Sequence, residues 1–283
     1  MGLLIDEVTG CLSTPLYPIT RMAGLQCLRD VMWTISNSTH FDHPQKRERV
    51  ASMFFPFILS AVERVDIFKL QINDKPEMME WAVCVLWILK HCNREKILCK
   101  WWAEDTQKNH VAFLQLLHTC IGVSTDEHFS RESSFIVLDV LEDYLEVMLN
   151  ELASEDGPIF ENYFKTLILL ISTRQTTSFL SSAFFTIRRF IHRLGVQIFS
   201  WDNTSYCERL CYTIMRFTDA ENVITRSEAG SLLYLIIKTN FGVRQNFSRA
   251  KLQSTIAVSR MCGESEGHVR FPFKRLIELT QHY

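Results

Sequence analysis

The sequence predicts an all-α protein, an irregular armadillo- or HEAT-like α-solenoid of antiparallel helix pairs. Apolar residues recur at three- and four-residue steps in one segment after another. Cap and breaker signals divide these segments into about a dozen helices with mostly short connections. No stretch shows sustained strand alternation. Short connections make consecutive helices antiparallel neighbours, and serial helix pairs of about 40 residues are the solenoid pattern. No repeat consensus aligns, so the repeats are irregular; a compact helical bundle is the alternative.

Residues 1–19 read as an irregular lead-in, with Pro15 and Pro18 against helix, and the helical solenoid as 20–283. Met22, Leu25, Leu28, Met32 and Ile35 make the first apolar stripe. Asp42, Pro44 and Gln45 form a start signal for a helix through Val50, Phe54, Phe57 and Ala61, which Pro56 should kink or split. Asp74, Pro76 and Glu77 open a helix with Trp81, Val85 and Leu89 inward. Shorter helices are expected at Lys96–Ala103 and Lys108–Ile121, then a loop from Gly122 to His128. Glu132–Leu152 reads as one long helix, with Asp139, Glu142, Asp143 and Glu146 solvated. Asp156, Gly157 and Pro158 stop and restart the chain before a helix with Phe160, Phe164, Leu167 and Ile171 inward.

Thr177 is expected to cap a helix ending before Gly195, and Asn203 to precede one with Cys207, Leu210, Cys211 and Ile214 inward. Thr225 and Glu228 have capping-box spacing ahead of Ala229, Leu232, Leu233, Ile236 and Ile237. Tyr234 and Leu235 widen that apolar face almost all round, which predicts a buried helix stopped by Gly242. The next helix places Leu252, Ile256, Ala257 and Met261 inward, leaves Arg249, Lys251 and Arg260 more exposed, and ends at Gly263. A last helix is expected at about His268–Gln281.

Apolar residues are 47% and charged residues 22% of the 283, enough to bury a large core. The net charge of −2 does not suggest nucleic-acid binding. Nine cysteines, an odd number set mostly in apolar helical patterns, suit reduced thiols and a cytoplasmic protein. The N-terminus has no secretory pattern, and no apolar run approaches the roughly 20 residues of a membrane span.

No catalytic, cofactor-binding or metal-ligating set is expected. Cys84, His91, Cys92 and Cys99 lack zinc-ligand spacing and a second ligand pair. Cys207 and Cys211 share a helical face but lack further partners, and His40 and His43 sit in a polar loop. Asp139, Asp143 and Glu146 suit a solvated acidic face. There is no G-x-S-x-G elbow, Walker loop or dinucleotide fingerprint. The candidate interaction face is Arg188, Arg189, His192 and Arg193, whose chemistry suits an acidic partner or lipid headgroups; a solvated face is the plainer expectation. Trp101 and Trp102 are a second candidate anchor, with packing expected for at least one.

Several segments resemble the dedicator-of-cytokinesis (DOCK) family of exchange factors for Rho-type GTPases. The likeness is strongest in ITRSEAGSLLYLIIKTNFG and NFSRAKLQSTIAVSRMCG. The second is similar to an N-F-x-R-x-K/H-x-Q pattern, matched by Asn246, Phe247, Arg249, Lys251 and Gln253. WAVCVLWILKHCNREKILCKWW, SSFIVLDVLEDYLEVM and AFFTIRRFIHRLGVQIFSW follow the same order, and RERVASMFFPFIL resembles an R-x-x-x-A-x-x-[FY]-x-P segment with Pro56 in place. The zizimin-like or a related branch is nearest.

The resemblance implies the helical, armadillo-like region that precedes the family's exchange domain. It implies that the exchange domain lies outside this chain, that no catalytic residue carries over, and that the chain itself is not an enzyme. The implied role is a scaffold in Rho-family (Rac-type or Cdc-type) GTPase signalling. Implied partners are such a GTPase through the exchange domain, adaptor proteins or a second copy, with peripheral membrane contact but no nucleic acid. The alternatives are a stand-alone α-solenoid interaction scaffold, and an unrecognised hydrolase or metal enzyme.

Overall fold

The computed structural model describes residues 18–65, 75–122, 127–155, 157–173 and 175–264. Among them are twelve α-helices, one 3-10 turn (Thr39–Phe41) and no strand. The chain divides into two compact units, Met1–Met148 and Leu149–Tyr283.

The first unit holds α1 (Pro18–Ser36), α2 (Pro44–Glu63), α3 (Lys75–Arg94), α4 (Ile97–Glu104), α5 (Gln107–Gly122) and α6 (Glu127–Val147). Its organising element is α3, which packs on α1, α2 and α6. The side-chain pairs give the directions. Arg21 meets Glu77, the Cys84 thiol donates to the Leu25 carbonyl and the Trp87 indole N–H to the Ser36 hydroxyl, so α1 and α3 run parallel. Arg47 donates to Glu95, the Cys92 thiol to the Ala51 carbonyl, and Phe54 meets Trp87 edge-on, so α2 runs antiparallel to both. A helix pair followed by a parallel successor to its first member is solenoid-type packing.

The Arg21 guanidinium donates twice to Glu77, at 2.6 and 3.2 Å, with both side chains almost wholly buried. A buried charge needs such a partner; removing one member of a pair of this kind costs about 3–5 kcal/mol. Pro56 lies inside α2 without splitting it.

The second unit holds α7 (Leu149–Leu152), α8 (Pro158–Ser172), α9 (Thr177–Ser200), α10 (Ser205–Met215), α11 (Val223–Arg244) and α12 (Ser248–Glu264). Alternate helices form two rows. Ser181 donates to Glu228, Gly195 abuts Thr239, and Arg244 reaches the Phe199 carbonyl, so α9 and α11 are parallel. Phe160 and Phe164 meet Tyr206 edge-on and Arg209 lies over the Phe164 ring, while Arg249 reaches the Asn203 carbonyl and Arg260 lies over the Tyr212 ring, so α8, α10 and α12 are parallel in the other row. Phe160 and Tyr163 stack with Phe190 between the rows, and Phe164 meets it at a tilt.

Several local expectations are revised. The α6 helix begins at Glu127, inside the expected loop, and breaks after Val147 before the short α7. Thr176, one residue earlier than expected, caps α9, its hydroxyl accepting from the Phe179 amide. The α9 helix passes through Gly195 to Ser200. Glycine serves close approach here rather than a stop, because a Cβ would sit 2.9 Å from the Thr239 methyl. Asn222, not Thr225, caps α11, accepting from the Ile224 and Thr225 amides, while Glu228 reaches across to Ser181. The α11 helix ends at Gln245, which takes the left-handed position at φ 54° instead of Gly242. Its buried face is narrower than expected, since Tyr234, Leu235 and Ile237 are only half-buried. Leu252 is 58% exposed, and Ala250, Gln253, Ser254 and Ala257 supply the buried face of α12. The α12 helix continues through Gly263 to Glu264. The Asp74 cap, most of the lead-in and the helix expected at His268–Gln281 lie outside the described residues.

The α9–α11 contact is directly testable. Gly195→Val should destabilise the protein by about 1–3 kcal/mol through overpacking, despite its better conformational entropy. Thr239→Ala in the same chain should recover much of that loss, because it removes the colliding methyl. Urea unfolding of the single and double variants measures both; additive losses would show that the two sites do not meet.

Candidate functional site

Arg188, Arg189, His192 and Arg193 all lie on α9, where the helical repeat brings them to its outer side. His192 and Arg193 are exposed, and Arg188 and Arg189 half-buried. The 24-residue helix contains no acidic residue. Phe185, 56% exposed, and Val196, 63% exposed, extend the face at both ends. Phe185, Arg189, His192 and Val196 follow steps of four, three and four, so they form one apolar-tipped basic stripe. Sequence reasoning found its basic centre and missed the two apolar ends, although their spacing was visible.

What fixes α9 is a pair of arginines at its C-terminal end. The last carbonyls of a helix have no partner within it. The Arg244 guanidinium donates to the carbonyls of Phe199 (2.8 Å), Ser200 (2.7 Å) and Trp201 (3.0 Å). Arg249 donates to Phe199 (3.1 Å), Trp201 (2.7 Å) and Asn203 (3.2 Å). The Arg249 pKa lies below its ordinary value because burial penalises the charge. The segment that resembled the N-F-x-R-x-K-x-Q pattern therefore has a structural job. Asn246 accepts from the Ser248 amide at the start of α12, Phe247 stacks on Phe241 at 4.4 Å, Arg249 clamps α9, Gln253 is buried and Lys251 is exposed.

The remaining candidates resolve toward packing. Cys84, Cys92 and Cys120 are buried, and burial pushes each thiol up to about 12, which keeps them protonated and unreactive. Cys207 and Cys211 are buried one turn apart; their mutual hydrogen bond pulls the first thiol down and pushes the second up. Among the described residues no group of three or more His, Cys, Asp or Glu is placed to hold a metal ion. Asp143 accepts from Lys96 at 2.6 Å, and Asp139 and Glu146 are exposed.

Trp102 is buried, edge-on to Tyr144, whereas Trp101 is half-buried among Phe55, His110 and Phe113. Trp101 also lines a cleft of about 320 Å³ with Leu59, Val62, Glu63, Glu104, Asp105 and Asn109. Sequence reasoning missed this cleft because Glu63 comes from α2, distant in sequence from the WWAED segment it joins.

No protein-family model and no solved structure matches the chain. Curated proteins do. Dedicator of cytokinesis protein 8 of Mus musculus is 26% identical over 158 residues, 54% of this chain. Dedicator of cytokinesis protein 7 of Homo sapiens is 26% identical over 165 residues, 58% of the chain. Dedicator of cytokinesis protein 11 of Danio rerio is 31% identical over 139 residues, 48% of the chain. This chain is related to the DOCK proteins. Each match spans about 7% of the relative's own length. The all-helical architecture agrees with the expectation drawn from the DOCK resemblance. No described helix of this DOCK-related chain is long and apolar enough to cross a membrane.

Proposed function

We propose that the chain is a helical scaffold segment of a DOCK-type guanine-nucleotide exchange factor acting on Rho-family GTPases of the Rac or Cdc type. It holds neighbouring parts in place while an exchange domain outside it expels nucleotide. The observation that carries this proposal is the similarity to several DOCK proteins over about half of the chain. The side chains support it: the motif residues cap and clamp helices, and the buried thiols are held protonated. Its place of action is the cytoplasm, with recruitment to membranes through partners. In a nucleotide-release assay, the isolated chain should leave release from Rac-type and Cdc-type GTPases at the intrinsic rate. Clear acceleration would contradict a purely scaffolding role.

A second reading is a stand-alone interaction scaffold that docks acidic partners on the α9 face. It is favoured by a helix that carries three arginines, a histidine and no acidic residue. Arg189→Glu with Arg193→Glu should abolish capture of an immobilised acidic peptide and leave far-UV circular dichroism unchanged. Undiminished capture would dispose of this reading.

A further inference from the structure

The cleft of the first unit gathers features that favour one kind of ligand. Its volume, about 320 Å³, is at the lower end of small-ligand sites, roughly 300–1,000 Å³. Trp101 forms one wall, and Phe55 and Phe113, edge-on at 5.7 and 5.3 Å, hold its ring in place. Glu63, Glu104 and Asp105 bring three carboxylates to the rim, and among the described residues no cationic side chain lines the space. Lys96, the N-cap of α4, pairs with Asp143, and Lys100 on α4 lies 3.9 Å from Glu48.

The backbone adds to this field. Both α2 and α4 end at the cleft, α2 with Arg64 as its C-cap and α4 with no basic residue in its last turn, so their negative dipole ends lie beside the carboxylates. Asp105 is fixed by accepting from the Thr106 amide at 2.6 Å and the Asn109 side chain at 2.9 Å. Glu63 and Glu104 are exposed. An aromatic face, fixed negative charge and two helix C-termini converge on a space suited to a single long side chain.

We propose that this cleft binds an arginine side chain presented by a basic peptide segment of a partner protein. The guanidinium lies over the face of the Trp101 ring, where the ring quadrupole attracts a cation, and donates to Glu63 and Glu104. Asp105 and Asn109 close the far side.

Fluorescence anisotropy with fluorescein-labelled tetra-arginine tests the proposal, with the neutral isostere tetra-citrulline as control. The intact chain should bind tetra-arginine, with affinity falling as salt rises, and should not bind tetra-citrulline. Glu63→Gln with Glu104→Gln should raise Kd at least tenfold, and Trp101→Leu by about three- to tenfold. Asp139→Asn with Glu146→Gln, which removes exposed acids on α6, should leave Kd unchanged. The paired glutamine variants alter exposed side chains and should melt as the wild type does, so they remain decisive if Trp101→Leu does not fold. Equal binding by the cleft variant and the wild type, equal loss in the α6 control, or equal binding of tetra-citrulline would overturn the proposal.

Discussion

Two guanidinium groups on the carbonyl end of one helix hold the second unit in register. Arg244 comes from the last turn of α11 and Arg249 from the first turn of α12, and both converge on residues 199–203. The Phe199 and Ser200 carbonyls carry the negative end of the α9 dipole, so the charge is favoured as well as the hydrogen bonds. Hydrogen bonds that involve a charged group contribute about 1.5–3 kcal/mol each, more than neutral ones. A single contact region thus joins both rows of helices: α9 and α11 in one, α10 and α12 in the other.

The rest of the unit follows from that register. With the end of α9 fixed, its parallel neighbour can approach closely only where a side chain is absent, and Gly195 against Thr239 is that place. The aromatic residues of α8 then fill the space between the rows, Phe160 and Phe164 against Phe190 and Tyr206. The first unit uses a different device for the same purpose. There the Arg21–Glu77 ion pair and two buried thiols bonded to carbonyls fix α3 between α1 and α2. In each unit polar groups set the alignment and apolar packing supplies the bulk of the stabilisation.

The helical class, most helix spans and the buried stripes were legible in the sequence, because amphipathic spacing is a local signal. Helix ends were less so. Gly195 and Gly242 looked like stops, yet one is a close-packing glycine inside α9 and Gln245 takes the left-handed cap beyond the other. Glycine's spacing in sequence does not say whether its missing side chain serves a turn or a neighbour. Arg249 looked like a solvated cation, since nothing local shows that residues 199–203 lie beside it. The basic centre of the α9 face was readable on one helix. The acidic cleft was not, because it joins α2, α4 and the start of α5 through tertiary packing.

The two proposed surfaces, the α9 face and the cleft of the first unit, are both carried by packed helices. The central claim is that the arginine pair, rather than apolar burial alone, sets the register of the second unit. Hydrogen–deuterium exchange on an Arg244→Ala, Arg249→Ala double variant tests it most directly. Protection should fall in the last turns of α9, at the start of α10 and along α12, while α1 to α6 exchange as in the wild type. Unchanged protection in the second unit, or a uniform loss across both units, would contradict it.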